Sequence, residues 1–194
     1  MARRIAQYFR DAFVSAFYSE QRSIIWTTDR VLITSTMQSY VYPAIGKFLD
    51  LALVCELPTD AAYFSWPTVS PLIQNRRGYP DPLSAEVLME HEIVYSSSVK
   101  EMRDLAKFNA PLNVLVTYYK ERLENQENWA NDSFESVLKP LGYEAKDFLL
   151  ILPSHDPLLD SAVKEELGSR HTPQGTWWNF FEWSCTDQRF QRLT

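Results

Sequence analysis

The feature that most constrains this chain lies between Glu86 and Tyr118, where the period of the apolar residues changes twice. Glu86 to Val94 alternates, with Val87, Met89, His91 and Ile93 on one side and Leu88, Glu90 and Glu92 on the other, which is the period of an extended strand. Ser98-Val99-Lys100-Glu101 then reads as a capping box, and Val99, Met102, Leu105 and Ala106 continue a helical stripe that Asn109-Ala110-Pro111 ends. Leu112-Asn113-Val114-Leu115-Val116-Thr117-Tyr118 reads as a buried strand. Strand, helix and strand joined this closely make a βαβ unit, so the two strands run parallel and the helix crosses one face of their sheet.

The flanking sequence supplies the remaining layers. Ile5, Tyr8, Phe9, Ala12, Phe13, Ala16 and Phe17 recur at steps of three and four and predict an opening helix. Short β-branched stretches at 24–27 and 31–34 read as strands around a turn at Thr28-Asp29-Arg30. Phe48 to Val54 is apolar except for Asp50 and predicts a central strand. From Glu56 to Pro82 the prolines Pro58, Pro67, Pro71, Pro80 and Pro82 point to a long excursion with an edge strand near Tyr63–Trp66. Asp132 is expected to cap a helix carrying Phe134, Val137, Leu138 and Leu141 that stops at Gly142, before a strand at Phe148–Leu152. Asp156-Pro157 opens another helix that stops at Gly168, and Thr176–Trp183 reads as a final strand. The expectation is an α/β protein with a mixed central sheet flanked by helices on both faces. At 194 residues and 45% hydrophobic composition, residues 1–194 are read as a single domain, because two separate cores would be hard to fill.

Composition narrows the function classes. Cys55 and Cys185 match neither a disulfide framework nor a zinc spacing, no secretory signal opens the chain, and no apolar run approaches the roughly 20 residues of a membrane span. A cytoplasmic protein without membrane contact is expected. A net charge of −6 argues against coating nucleic acid non-specifically, although Arg76, Arg77, Lys139, Lys146, Arg170, Arg189 and Arg192 leave room for a local phosphate track. There is no glycine-rich phosphate loop, no serine nucleophile elbow and no histidine pair spaced for zinc. Ser154-His155-Asp156 does not make a hydrolase triad, since adjacent residues do not converge, and Asp156 is better read as a helix cap.

What remains is a set of carboxylates in apolar strands: Asp50 in one, Glu90 and Glu92 in another. Buried carboxylates need a cation, a donor or a proton, and oxygen ligands from neighbouring strands suit a hard cation such as Mg²⁺. An acid in an apolar strand, Glu-x-Glu at the end of a later strand, a capped helix and the apolar strand Pro111–Tyr118 together resemble the core of the PD-(D/E)XK, or restriction-endonuclease-like, superfamily. The resemblance runs from Ile5 to about Tyr118. It implies a Mg²⁺- or Mn²⁺-dependent nuclease acting on DNA, with Asp50 and Glu90 as metal ligands and Glu92 as a third catalytic carboxylate where the family usually has Lys. Asp81, in Pro80-Asp81, is a rival first acid, but it leaves little room for the family's hairpin before the Glu90 strand. A protein of the same fold that no longer cuts and serves as a binding or assembly module is the alternative, and a homodimer stays open. The plainer structural reading puts Glu90 and Glu92 on an exposed edge, bonds Asp50 to a backbone amide, packs His91 in the core, makes Glu101 a helix cap and Glu20 a surface charge, and buries Trp177, Trp178, Phe180, Phe181 and Trp183 instead of stacking them on bases.

Overall fold

A computed structural model describes residues 5–20, 35, 37–55, 59–75, 78–92, 94–108, 110–119, 122–144, 147–153 and 178–193. The opening helix, α1 (Ile5–Glu20), buries Ala6, Phe9, Ala12, Phe13, Ala16 and Phe17 along the face that their spacing defines. A π-helical turn (Met37–Val41) leads into α2 (Tyr42–Leu49), which Pro43 helps to open, its fixed φ suiting a first turn.

Helix α2 ends at Asp50, whose φ of 56° and ψ of 42° place it in the left-handed region. The Asp50 and Leu51 amides turn back to the Lys47 and Gly46 carbonyls, at 3.4 and 2.9 Å. A Cβ on Gly46 would lie 3.0 Å from the Leu51 carbonyl oxygen, so a larger residue there would push this turn apart. The expected central strand from Phe48 is therefore half helix, and β1 covers only Ala52–Cys55. An apolar run with one polar residue does not separate a buried helix end from a buried strand.

The proline-rich stretch also holds more structure than expected. Strand β2 (Ala61–Phe64) is fully buried and lies inside the sheet, between β1 and β3 (Val87–Glu92). Helix α3 (Trp66–Asn75) follows it, with Pro67 in its first turn and Pro71 inside. Helix α4 (Ser98–Leu105) crosses from β3 to β4 (Leu112–Thr117), as the βαβ pattern predicted. Helix α5 (Leu123–Leu138) leads to β5 (Asp147–Pro153), and β6 (Trp178–Ser184) and β7 (Arg189–Arg192) form a closing hairpin. The strands lie in chain order in one seven-stranded sheet, with β3, β4 and β5 parallel and the remaining neighbours antiparallel. The expected elements at 24–27, 31–34 and 156–168 fall outside the described residues.

Both faces are covered. On one, α1 and α2 pack on Tyr63, Met89, Val114, Ile151 and Phe180, with Phe13 edge-on to Trp178 and Phe180 at 5.3 and 5.9 Å. On the other, α4 and α5 pack on Leu88, Leu115, Leu150 and Phe181. The aromatic residues of β6 are divided between these two cores, so Trp178, Phe180, Phe181 and Trp183 are packing residues. Among the described residues, no helix is long and apolar enough to cross a membrane.

Helix α5 begins well before Asp132, which lies inside it. Its first half lacks an apolar stripe because a glutamine occupies a buried position: Gln126 donates to the carbonyls of Tyr119 and Pro153 at 2.9 and 2.7 Å and accepts from Asn179 at 2.8 Å. One side chain thus ties the helix to the ends of β4, β5 and β6. Asn131 similarly pairs with the backbone of edge strand β7, accepting from the Phe190 amide at 2.6 Å and donating to its carbonyl at 3.3 Å.

Ser98 is not the cap that its motif implied. It is fully buried at the start of α4, and its hydroxyl shares a 2.7 Å hydrogen bond with the hydroxyl of Thr117 at the end of β4. The bond fixes the crossover helix to its own sheet. Ser98→Ala should therefore cost about 1–3 kcal/mol by orphaning a buried hydroxyl, whereas Ser98→Ala combined with Thr117→Val should cost less than the two single changes summed. Urea denaturation of the double-mutant cycle measures this, and strict additivity would return Ser98 to an independent role.

Candidate functional site

Alternation along β3 sends its acids and its histidine in opposite directions. Leu88 packs in the α4–α5 core while Val87 and Met89 pack beneath α1 and α2, so Glu90 and Glu92 project on the α4 side. The antiparallel register pairs Ala61 with Met89, which sets the preceding residue of β2, Asp60, across from Glu90.

Local bonds hold that juxtaposition. The Thr59 hydroxyl donates to the Ala61 carbonyl at 3.0 Å, and the His91 amide donates to Asp60 Oδ2 at 2.8 Å. The Asp60 amide and carboxyl both bear on the Glu90 carboxyl, the amide lowering its pKa and the acid raising it. Glu101, in the first turn of α4, adds negative charge beside both acids and accepts from Lys100 Nζ at 2.9 Å. Glu92 Oε1 accepts from the Val94 amide at 2.6 Å, and its charge also bears on Asp60.

Burial, followed by the charges of Asp60 and Glu101, raises Glu90 from an ordinary 4.5 to about 8. Burial also raises Asp60, against the opposing hydrogen bond from the His91 amide. Glu90 consequently keeps its proton near neutral pH. This arrangement can bind a cation in exchange for the proton, or pass the proton to a bound group.

The sequence assignments divide around this pair. Glu90 belongs to it, and Glu92 and Glu101 border it. Asp50 does not lie in a strand; it terminates α2. Asp81 is exposed and caps a short 3₁₀ turn (Pro82–Ser84) by accepting from the Leu83 amide at 3.0 Å. Glu20 is the last residue of α1. His91 is buried on the opposite face, with Nε2 2.9 Å from the Tyr118 hydroxyl; burial lowers it to about 4 and keeps it neutral. Among the basic residues, Lys139 pairs with Glu135 and Arg189 with Glu127, while Arg192 lines a groove of about 380 Å³ between α1 and the β6–β7 hairpin. Arg76, Arg77, Lys146 and Arg170 lie outside the described residues, as do His155 and Trp177.

Asp60 is the residue that sequence reasoning missed. It precedes a short apolar run, Ala61-Ala62-Tyr63-Phe64, within a stretch whose prolines suggested irregular chain. An acid opening a buried strand was the available signal. Among the described residues, no three His, Cys, Asp or Glu side chains are grouped to hold a metal ion. In comparisons with known proteins, the chain matches no family model, no curated protein and no solved structure.

The raised acid has a consequence for stability. The folded state retains a proton that the unfolded chain releases near pH 4.5, so Glu90 stabilises least once the pH has risen through about 8. Glu90→Gln removes that penalty, and its stability relative to wild type should climb between pH 5 and 8, by at most about 1.4 kcal/mol per pH unit. Denaturant midpoints across this range test the effect, and a constant difference would show that Glu90 titrates normally.

Proposed function

We propose that this chain is a divalent-metal-dependent phosphodiesterase acting on DNA, built on a restriction-endonuclease-like version of its sheet, with Asp60 and Glu90 as the metal-binding carboxylates. The observation that carries the reading is the pair itself: two acids set across from each other on adjacent strands, Glu90 raised by burial and by the charge of Asp60, and Asp60 held by the His91 amide. The order β2, β3, α4, β4 supports it, since an acid at a strand, Glu-x-Glu on the next, a helix and a parallel strand follow one another as the resemblance requires. Asp60 replaces Asp50 as the first acid.

The donor set fits Mg²⁺ or Mn²⁺, because such ions take oxygen ligands and use one or two carboxylates together with water and substrate phosphate. Bound there, the ion would polarise a phosphate oxygen and lower the pKa of a water molecule. Glu90, once deprotonated, would hold such an ion together with Asp60. The His91 amide holds Asp60 in orientation throughout. Glu92, on the same face of β3, is placed to accept a proton from the attacking water once it leaves the Val94 amide.

The purified chain should therefore cut DNA in Mg²⁺ or Mn²⁺ and stop in EDTA. Asp60→Asn and Glu90→Ala should each lower the rate by at least about 100-fold, more than the loss of a supporting partner usually causes, and Glu92→Ala should reduce it. Asp50→Asn should leave it unchanged, since an asparagine also adopts the left-handed cap. Loss of cutting in Asp50→Asn but not Asp60→Asn would overturn the assignment. A wild-type chain that binds no divalent ion and cuts neither DNA nor RNA would instead favour a non-catalytic binding or assembly module.

A further inference from the structure

Beyond the ends of β3 and β4, three aromatic side chains gather at the surface. Tyr119 and Trp129 stack with ring centres 4.4 Å apart and planes within 12°. Tyr95 meets both rings edge-on, at 5.6 and 6.4 Å, and is 51% exposed. Trp129 is anchored below by an edge-on contact with buried Phe134 at 5.3 Å, and the Tyr119 backbone is held by Gln126. The cluster is thus anchored at its base by the half-buried Tyr119 and Trp129, with the exposed Tyr95 at its rim.

Its position relates it to the acids. Strands β3 and β4 are parallel, with Glu90 opposite Leu115 and Glu92 opposite Thr117. Tyr95 follows Glu92 by three residues and Tyr119 follows Thr117 by two, so both emerge at the same end of the sheet. Tyr119 lies four residues beyond Leu115, about 13 Å at the usual rise of a strand. Tyr119 and Trp129 pack on the same core as α4, the face toward which Glu90 projects. Exposed Arg122 opens α5 between the two stacked rings in sequence, and exposed Lys100 lies in the first turn of α4.

We infer that Tyr95, Tyr119 and Trp129 form a base-stacking platform beside the Asp60–Glu90 pair, and that the nucleic acid bound there presents unpaired bases. The inference rests on the phosphodiesterase reading for its ligand class. An exposed ring offers a base a π-face, which only an unstacked base can take, whereas bases within a duplex already cover one another. The chain's charge of −6 makes stacking, with help from Arg122 and Lys100, a better source of grip than broad phosphate neutralisation.

The test measures binding of the full chain in EDTA, by fluorescence anisotropy, to a labelled single-stranded DNA oligonucleotide, the matching duplex and an abasic strand of equal length. The single strand should bind about tenfold or more tightly than either of the others, with a shallow dependence on salt. Tyr119→Ala and the exposed Tyr95→Ala should each weaken it by about that factor while circular dichroism stays unchanged. Tyr119→Phe, which keeps the ring, should bind as wild type, as should Asp50→Asn, which lies at the end of α2. Equal binding of abasic and base-containing strands, or alanine variants that are folded and bind normally, would overturn the platform. Base-dependent binding without cutting in Mg²⁺ would support the platform and remove the catalytic reading. Cutting with no preference for bases over abasic sites would do the reverse.

Discussion

The antiparallel register of β2 on β3 places Asp60 across from Glu90, where burial and the neighbouring acid charges raise the Glu90 carboxyl to about 8. This pairing therefore sets the electrostatic state of this end of the sheet. The His91 amide holds Asp60 in place at 2.8 Å. A one-residue slip of β2 would send Asp60 to the α1–α2 face and leave Glu90 without its counterpart. That slip is opposed by the burial of Tyr63 in one core and of Ala62 and Phe64 in the other.

The parallel half of the sheet provides the rigid frame. The bond between Ser98 and Thr117 pins α4 over β4, which sets Glu101 beside the acid pair. Gln126 performs the same service for α5 through the carbonyls of Tyr119 and Pro153. These buried polar contacts lie between apolar layers, where each fixes one orientation of a helix that hydrophobic packing alone leaves free to slide. Acids and aromatic rings thus emerge from the same end of a braced scaffold, the usual arrangement in which loops carry function and regular elements hold it.

How legible this was varied with the strength of the local pattern. The βαβ unit was readable because strand alternation, helical stripe and apolar strand succeed one another without ambiguity, and α1 was readable from its spacing. The central position of Glu90 and the inward turn of His91 followed from the same alternation. The first acid was not readable. Asp50 stood in an apolar run whose helical half could not be told from strand, and Asp60 opened a four-residue strand hidden among prolines. Ser98 satisfied a capping motif, yet its hydroxyl turned to Thr117, a partner 19 residues away that no local pattern encodes. The early half of α5 was hidden because its buried face is built on Gln126 and Ala130 instead of on large apolar residues.

The central claim is that Asp60 and Glu90 hold a proton in place of a cation. Carboxyl-carbon NMR of the chain labelled at its acidic side chains follows Glu90 directly, once without divalent ions and once with Mg²⁺ in excess. The account predicts a midpoint near pH 8 without the ion and a shift to lower pH with it, absent in Asp60→Asn. A Glu90 that titrates near 4.5 in the free chain, or whose midpoint ignores Mg²⁺, would contradict it.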